Sequence, residues 1–540
     1  MFATALSCAL QGLAGIPITV EADIAAGLPG FTIVGLTDRA IQEARERVRA
    51  AIRNGGFEFP TRRLTVNLAP AEVPKEGTAY DLAIALAVLR CAGREIGLAD
   101  TAVLGELALD ASLRPVTGVL PMARSLRAAG VRRLVVPLAN AAEAAMVDDL
   151  EVVAAPSLPA CVYHLDGSRP LPPAEPSVDA SSTAADDSVE LGAVRGHAHA
   201  KRALEIAAGG GHNLLMLGPP GSGKTMLARA LASLLPDLTT EESLEVSAIW
   251  SLRGALRERP PATLRPPFRA PHHSISRAGL VGGGTGFAQP GEISLASRGV
   301  LFLDELCEFP RPLLEALRQP LEERAITVGR SRGSVTYPAA FAMVGAANPC
   351  PCGYLGDETR RCHCSFPQLQ RYNARLSGPV RDRIDLVVPV PRQPYDVLFP
   401  DRPPEEATDP VRVRVREARR RQLERNRLLL DRDRDRRHGR RARRQQVIPA
   451  APPAVNGTTP TKPSSHLNAD LDGILLLAAC DPTPAAARLL SIAGDRLQLS
   501  ARAFHRVLRV ARTIADLAGH ERVDEASLGE ALRFRGETGR

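Results

Sequence analysis

Residues 218–225 read GPPGSGKT. Glycines at Gly218, Gly221 and Gly223 let backbone N–H groups turn inward on phosphate oxygens, with Pro219, Pro220 and Ser222 completing the loop. Lys224 can reach β- and γ-phosphates, and the Thr225 hydroxyl suits Mg²⁺. This is the full GxxxxGK[ST] string, and it predicts ATP or GTP binding. A second string, GVLFLDEL at 299–306, is an apolar run ending in two carboxylates. Asp304 is placed to hold the Mg²⁺ shell and Glu305 to polarise a water in line with the γ-phosphate. Such a run is common by chance; following a P-loop, it points to hydrolysis.

These residues need a strand, a loop and a helix in that order. NLLMLG precedes the loop as a short buried strand, and TMLARALASLL follows it as an amphipathic helix. Further strand-like runs are AAFAMVGAAN, ending in Asn348, and the apolar end of LSGPVRDRIDLVVPV, which follows Arg381 and Arg383. Arg502 lies in the helical string LSARAFHRVL.

Four of the nine cysteines are clustered in NPCPCGYLGDETRRCHCSF, just after Asn348. Cys350, Cys352, Cys362 and Cys364 form two CxC pairs, and four thiolates so spaced suit a tetrahedral structural Zn²⁺, with His363 able to replace one. A redox pair or free thiols are the alternatives. The other five (Cys8, Cys91, Cys161, Cys307, Cys480) are scattered as packed residues would be, and the pattern is not that of a secreted disulfide scaffold.

At 540 residues the chain is too long for one core, and 44% apolar composition is ample for globular domains. No apolar run is long enough to span a membrane and no signal peptide is evident, so a cytoplasmic enzyme is expected. The net charge of +8 is local. Between 411 and 445 there are 16 Arg against five acidic residues, a surplus of 11, so the rest of the chain sums to −3. That run either neutralises a phosphate backbone or is a solvated linker.

The coarse organisation follows. Residues 1–170 alternate short β-like runs with helical stretches, as an α/β or α+β domain does. A Pro/Ser/Ala-rich linker spans 171–190, and the P-loop domain spans 191–390 with the cysteine insertion at 350–364. A Pro/Arg-rich linker is expected over 391–466, and a helical domain over 467–540. The overall class is multidomain α/β.

Lys224, Asp304, Glu305, Asn348, Arg383 and Arg502 occur in the order found in AAA+ ATPases. The stretch RPPFRAPHHSISRAGLVGGGTGFAQPGEISLASRGVLFLDEL resembles the magnesium-chelatase-like branch. Within it the whole chain, apart from the linker and roughly 400–465, resembles the bacterial ComM/YifB family. The resemblance implies a Lon-like (ribosomal S5-like) α+β N-terminal domain, an AAA+ base and a helical C-terminal lid. It also implies ATP and Mg²⁺ as cofactors and a ring, of six copies, that moves single-stranded or branched DNA with recombination proteins as possible partners. Asn348 would be the polar sensor, Arg383 the arginine finger with Arg381 competing, and Arg502 a second sensor arginine.

Two elements would face the ring's pore. One is the hairpin AITVGRSRGSVTYPAA at 325–340, tipped by Arg330 and Arg332; the other is the insertion at 269–291 with His272, His273 and Arg277. The arginines would touch DNA phosphates without reading sequence, or stand as solvated charges. The histidine pair reads as local packing or hydrogen-bonding groups rather than a metal site.

Lon-type peptidases carry a Ser nucleophile in a string like KDGPSAG and a later Lys. Here KEGTAYD places Ala79, and PVTGVLPMARS places Leu120, at those positions. Without a hydroxyl and an amine the Ser–Lys chemistry cannot run, and a non-peptidase scaffold is expected. A chelatase-type ATPase working on a protein partner is the alternative function.

Overall fold

The computed structural model describes residues 1–35, 38–175, 189–256, 263–284, 288–330, 333–357, 360–376, 378–394, 406–444 and 467–535. Residues 1–175 form a mixed seven-stranded sheet with helices against it. Its strands run in the order Gly30–Val34, Arg63–Ala69, Ala14–Ala25, Phe2–Gln11, Thr101–Val103, Arg133–Pro137, Glu151–Ala155. The two longest strands pair antiparallel from Phe2↔Asp23 to Gln11↔Ala14 and turn at Gly12, whose φ of 65° a side-chain-bearing residue disfavours. Helix Asp81–Cys91, almost wholly apolar, is buried along its length, which its composition requires. Ala79 packs against one core of this unit, and Leu120 is fully buried in the helix Val119–Ala128.

The second unit is built on five short parallel strands in the order Phe268–Arg269, Val300–Leu303, Ala342–Ala347, Leu214–Leu217, Leu386–Pro389. LLML, VLFL and AMVGAA are near-continuous apolar runs because both faces of a parallel sheet are covered. Helices Ala198–Gly210 and Lys224–Leu234 share one core with the sheet. The expected hairpin is present as Ala325–Arg330 paired with Gly333–Pro338, with Ile326, Val328 and Tyr337 buried at its base.

The first unit docks on the second through the helix Thr240–Arg253. Ser251 O accepts from the Gly118 N–H at 3.0 Å, and Ser251 Oγ donates to the buried Glu143 carboxylate at 2.6 Å. At the turn of the long strand pair, a Cβ on Gly12 would lie 2.6 Å from Val335 of the hairpin. The N-terminal sheet therefore braces the hairpin base.

The C-terminal helices are Gly473–Cys480, Pro484–Arg496, Ala501–Ala518 and Glu525–Arg533. Before them the structure departs from the expected linker over 391–466. Residues Thr408–Arg444 form one helix of 37 residues, with side chains described through Arg432. Val411, Val415, Ala418, Gln422 and Asn426 recur every three or four positions and are buried against Ala198–Gly210 and Ala501–Ala518.

Its arginines are also engaged. Arg425 pairs with the buried Asp516 at 2.6 Å, Arg414 with Glu205 at 2.6 Å, and Arg419 Nε donates to Ala208 O at 2.8 Å. The first half of the arginine run is thus part of a core, and neither a solvated linker nor a free phosphate-binding arm describes it. Residues 176–188, 395–405 and 445–466 of the two expected linkers lie outside the described residues.

Candidate active site

Three adjacent parallel strands end at one edge, and the residue after each carries chemistry. Leu214–Leu217 runs into Gly218, Val300–Leu303 into Asp304, and Ala342–Ala347 into Asn348. Crevices outside the C-terminal edge of such sheets are where ligands bind.

Close approach explains the loop's glycines. A Cβ on Gly218 would lie 2.1 Å from Val390 O, while Gly221 and Gly223 have φ of 75° and 88°. Gly223 caps the helix Lys224–Leu234, so the helix N-terminus and its unpaired N–H groups face the loop. Lys224 Nζ donates to Gly218 O at 2.8 Å, to Pro219 O at 2.9 Å and to Asn348 Oδ1 at 3.4 Å. Burial lowers the Lys224 pKa, with Asp304 and Glu305 opposing. Thr225 Oγ1 donates to Asp304 Oδ2 at 3.1 Å. The hydroxyl and carboxylate expected to share Mg²⁺ are therefore already side by side, and their hard oxygens fit that ion.

Glu305 follows with φ of 50°, a left-handed conformation rare outside glycine. Its carboxylate lies 3.2 Å from Nδ1 of His273. Thr225, Phe268, His272, His273, Asp304 and Glu305 line one cavity of about 320 Å³. The histidine pair was legible as a motif; its contact with Glu305, across thirty-two positions, was not.

Arg383 sits at the opposite edge of the sheet. Its carbonyl accepts from Asn213 Nδ2 at 2.9 Å, and Asn213 precedes the strand whose far end is the P-loop. Four strand residues at about 3.3 Å each separate the two edges by roughly 13 Å. The guanidinium is paired with Glu322. Burial, then the neighbouring Arg318 and Arg502, lowers its pKa, with Glu315 opposing.

Arg502 joins this second patch, 3.6 Å from Asp382. Arg381 is exposed on the same turn, which Arg506 of the C-terminal helix anchors by donating to Arg381 O and Ile384 O. The structure brings Lys224, Thr225, Asp304, Glu305 and Asn348 together and sets Arg383 and Arg502 apart from them. The hairpin carries Arg330 at the end of its first strand; Arg332 lies outside the described residues.

The four clustered cysteines converge. Their sulfurs all lie within 4.8 Å of one another, with Cys350–Cys352 at 3.3 Å, Cys352–Cys362 at 3.6 Å and Cys350–Cys362 at 3.7 Å. A tetrahedral ion with Zn–S bonds near 2.3 Å needs sulfur edges of about 3.8 Å, so the set fits zinc. Backbone N–H groups of Tyr354, then His363, draw the Cys352 thiol down to about 6, while Cys350 and Cys364 stand above the ordinary thiol value beside it, so ionising the set together calls for a cation among the sulfurs.

The cysteine loop packs on the P-loop. A Cβ on Gly353 would lie 2.7 Å from Pro220 Cδ and 3.9 Å from Asn348 Cγ. Arg392, which pairs with Asp357 at 3.6 Å and lies over the Tyr354 ring, donates to Pro220 O at 3.3 Å.

Comparison with known proteins agrees in extent. Residues 190–398 match the family model described as magnesium chelatase, subunit ChlI; 20–140 match subunit ChlI of Mg-chelatase, and 405–535 match magnesium chelatase, subunit ChlI C-terminal. The third match includes the arginine-rich helix. The chain is 40% identical to the competence protein ComM of Haemophilus influenzae over 98% of this chain and 96% of that one. It is 41% identical to the protein YifB of Escherichia coli over the same shares, and 42% identical to an uncharacterized protein of Mycobacterium tuberculosis over 98% of both. Among the described residues, no helix is long and apolar enough to cross a membrane.

Proposed function

The chain belongs to the ComM/YifB family, with the AAA+ ATPase activity that the magnesium-chelatase match implies, and we propose that it is a ring motor, of six copies, that moves DNA. In this reading it drives branch migration of recombination intermediates during natural transformation. The supporting observation is the division of the machinery between two edges of one sheet. Lys224, Thr225, Asp304, Glu305 and Asn348 gather at one edge, while Arg383 and Arg502 lie at the other, too far to serve the same nucleotide. A head-to-tail ring supplies each site with its neighbour's arginines.

ATP phosphates would lie on the Gly218–Gly223 loop, with Lys224 turning from the loop carbonyls to the β- and γ-phosphates. Thr225 and Asp304 would hold Mg²⁺, which supplies charge neutralisation on the phosphate oxygens. Glu305 would polarise the attacking water. Arg383, released from Glu322, would stabilise charge in the adjoining subunit's site. The cysteine loop would hold a structural Zn²⁺ and brace Pro220 and Asn348.

The N-terminal domain is read as a Lon-like scaffold without peptidase activity, because Ala79 and Leu120 offer neither nucleophile nor base. Its contact with the hairpin base suits a part that sets the position of a DNA-contacting element.

The test is ATP hydrolysis with and without single-stranded and branched DNA, using Lys224→Ala as the blank. Strong stimulation supports the motor reading. Turnover indifferent to DNA would overturn it in favour of a chelatase-type or protein-remodelling ATPase. Glu305→Gln should bind nucleotide and assemble without turning over.

A further inference from the structure

Three successive glycines, Gly209, Gly210 and Gly211, end the helix Ala198–Gly210 and lead into His212 and Asn213, just ahead of the strand Leu214–Leu217. The run makes room for one imidazole. A Cβ on Gly210 would collide with His212 Nε2 and Thr513 Oγ1, and one on Gly209 would lie 3.4 Å from Thr513 Cγ2. His212 is fully buried and takes no part in the nucleotide site described above. Its Nδ1 lies 3.3 Å from Asp385 Oδ2, and its Nε2 lies 2.7 Å from Thr513 Oγ1. An ionised carboxylate only accepts, so the Nδ1 facing Asp385 carries a proton.

The ring's two partners belong to different parts of the chain. Asp385 lies two residues after Arg383, and its N–H donates to Asn213 O at 2.9 Å. Asn213 also donates from Nδ2 to Arg383 O at 2.9 Å and accepts at Oδ1 from the Met343 N–H at 2.9 Å. Thr513 stands on the C-terminal helix Ala501–Ala518, where the buried Asn468 donates to its hydroxyl at 3.1 Å. Two turns earlier, Arg506 of the same helix donates to Arg381 O and Ile384 O. The turn that carries Arg383 is therefore clamped between the start of the P-loop strand and the C-terminal helix, and the His212 ring is the buried link between them.

We propose that His212 is a positioning residue for Arg383: by joining Asp385 to Thr513 it fixes the turn from which the guanidinium is presented to the adjoining chain. This role rests on the reading above in which Arg383 serves the neighbour's nucleotide. Proximity in sequence points the other way, since His212 stands six positions before Gly218 and would be expected to serve its own chain's P-loop. The strand Leu214–Leu217 separates the two by roughly 13 Å, and both polar contacts of the ring among the described residues go to the Arg383 turn and the C-terminal helix. Loss of either contact leaves a fully buried group unpaired, and the turn shifts to satisfy it. A finger acts only where charge develops on the transferred group. Its displacement on the order of 1 Å lowers rate in the adjoining site and leaves nucleotide binding by its own chain intact.

The test compares the wild-type chain with Thr513→Val, Thr513→Ser and His212→Asn. It measures kcat and KM for ATP, affinity for a fluorescent ATP analogue, and turnover in equal mixtures with Lys224→Ala or Arg383→Ala chains. Valine keeps the size of threonine without its hydroxyl, and asparagine keeps a donor towards Asp385 without the reach to Thr513, so misfolding of one leaves the other to decide. Both should lower kcat about tenfold or more, while KM and analogue affinity stay within about twofold. Serine, which retains the hydroxyl, should keep wild-type turnover. Mixed with Lys224→Ala, each defective variant should recover to about one quarter of wild type, because its intact P-loop edge meets an intact Arg383 edge. Mixed with Arg383→Ala, which is damaged at the same edge, it should stay at about one twentieth or below. Unchanged kcat in the folded variants, recovery with neither partner, or recovery with Arg383→Ala in place of Lys224→Ala would overturn the proposal. Failure of Lys224→Ala and Arg383→Ala to complement each other would instead overturn the division of the site between chains, and the role of His212 with it.

Discussion

Removing the arginine at the far edge of the sheet separates a ring from a self-sufficient ATPase. Arg383 is tied through Asn213 to the start of the strand that ends in the P-loop, roughly 13 Å from its own chain's phosphate loop. Arg383→Ala should therefore leave ATP binding intact and lower turnover by about a thousandfold or more, the loss typical of a missing arginine finger. Lys224→Ala should be inactive for the opposite reason, since it damages the phosphate-binding edge. Chains of the two variants, mixed as monomers before ATP is added, complement each other where an intact P-loop edge meets an intact Arg383 edge. At equal amounts half of the chains supply each edge, so about one quarter of the interfaces are complete, and turnover should recover to about one quarter of wild type. The assay is steady-state phosphate release across a titration of mixing ratios, with differently tagged chains co-purified to show mixed rings. Mixed rings with no recovered turnover, or near-normal turnover by Arg383→Ala alone, would refute the division of the site between chains.

Purified protein should carry about one Zn²⁺ per chain by elemental analysis. Cys352→Ser with Cys362→Ser should abolish that metal and lower turnover by about a hundredfold, the cost of misplacing Pro220 and Asn348 by on the order of 1 Å. Arg425→Ala removes one of the two guanidiniums on the buried Asp516 carboxylate, which keeps Arg512 at 3.0 Å and Asn468 at 2.8 Å, and should cost about 1.5–3 kcal/mol, read as a fall in melting temperature. Arg427→Ala, on the exposed face of the same helix, should change stability by less than about 0.5 kcal/mol. If the two substitutions had equal effects, the helix would not be a core element.

What the sequence disclosed and what it hid divide along a physical line. The P-loop, Asp304, Glu305 and Asn348 are local: each needs a buried strand and the residue after it, so the string contains the site. The cysteine cluster was legible for the same reason, because CxC pairs place two sulfurs on one short loop. The helix Thr408–Arg444 was not legible. Its buried stripe, Val411, Val415, Ala418, Gln422 and Asn426, has the right spacing, yet two of its five members are polar and arginines surround it. Composition therefore read as a solvated charge run. The polar members are buried because partners distant in sequence satisfy them: Gln422 donates to Gly209 O at 3.0 Å and accepts from the Asn468 N–H at 3.1 Å. The position of Arg383 just ahead of an apolar strand was legible but not its pairing with Glu322, and His273 was legible as part of a motif but not as the neighbour of Glu305. Both contacts are made by residues on different elements, which only the assembled sheet brings together. The same division bears on how such an ATPase is controlled. The P-loop residues are placed by local sequence, whereas Glu322 on Arg383 and His273 on Glu305 are contacts between separate elements, which a tertiary or quaternary rearrangement can break. On the motor reading, a shift between elements would change these two contacts first, while the P-loop residues keep their places.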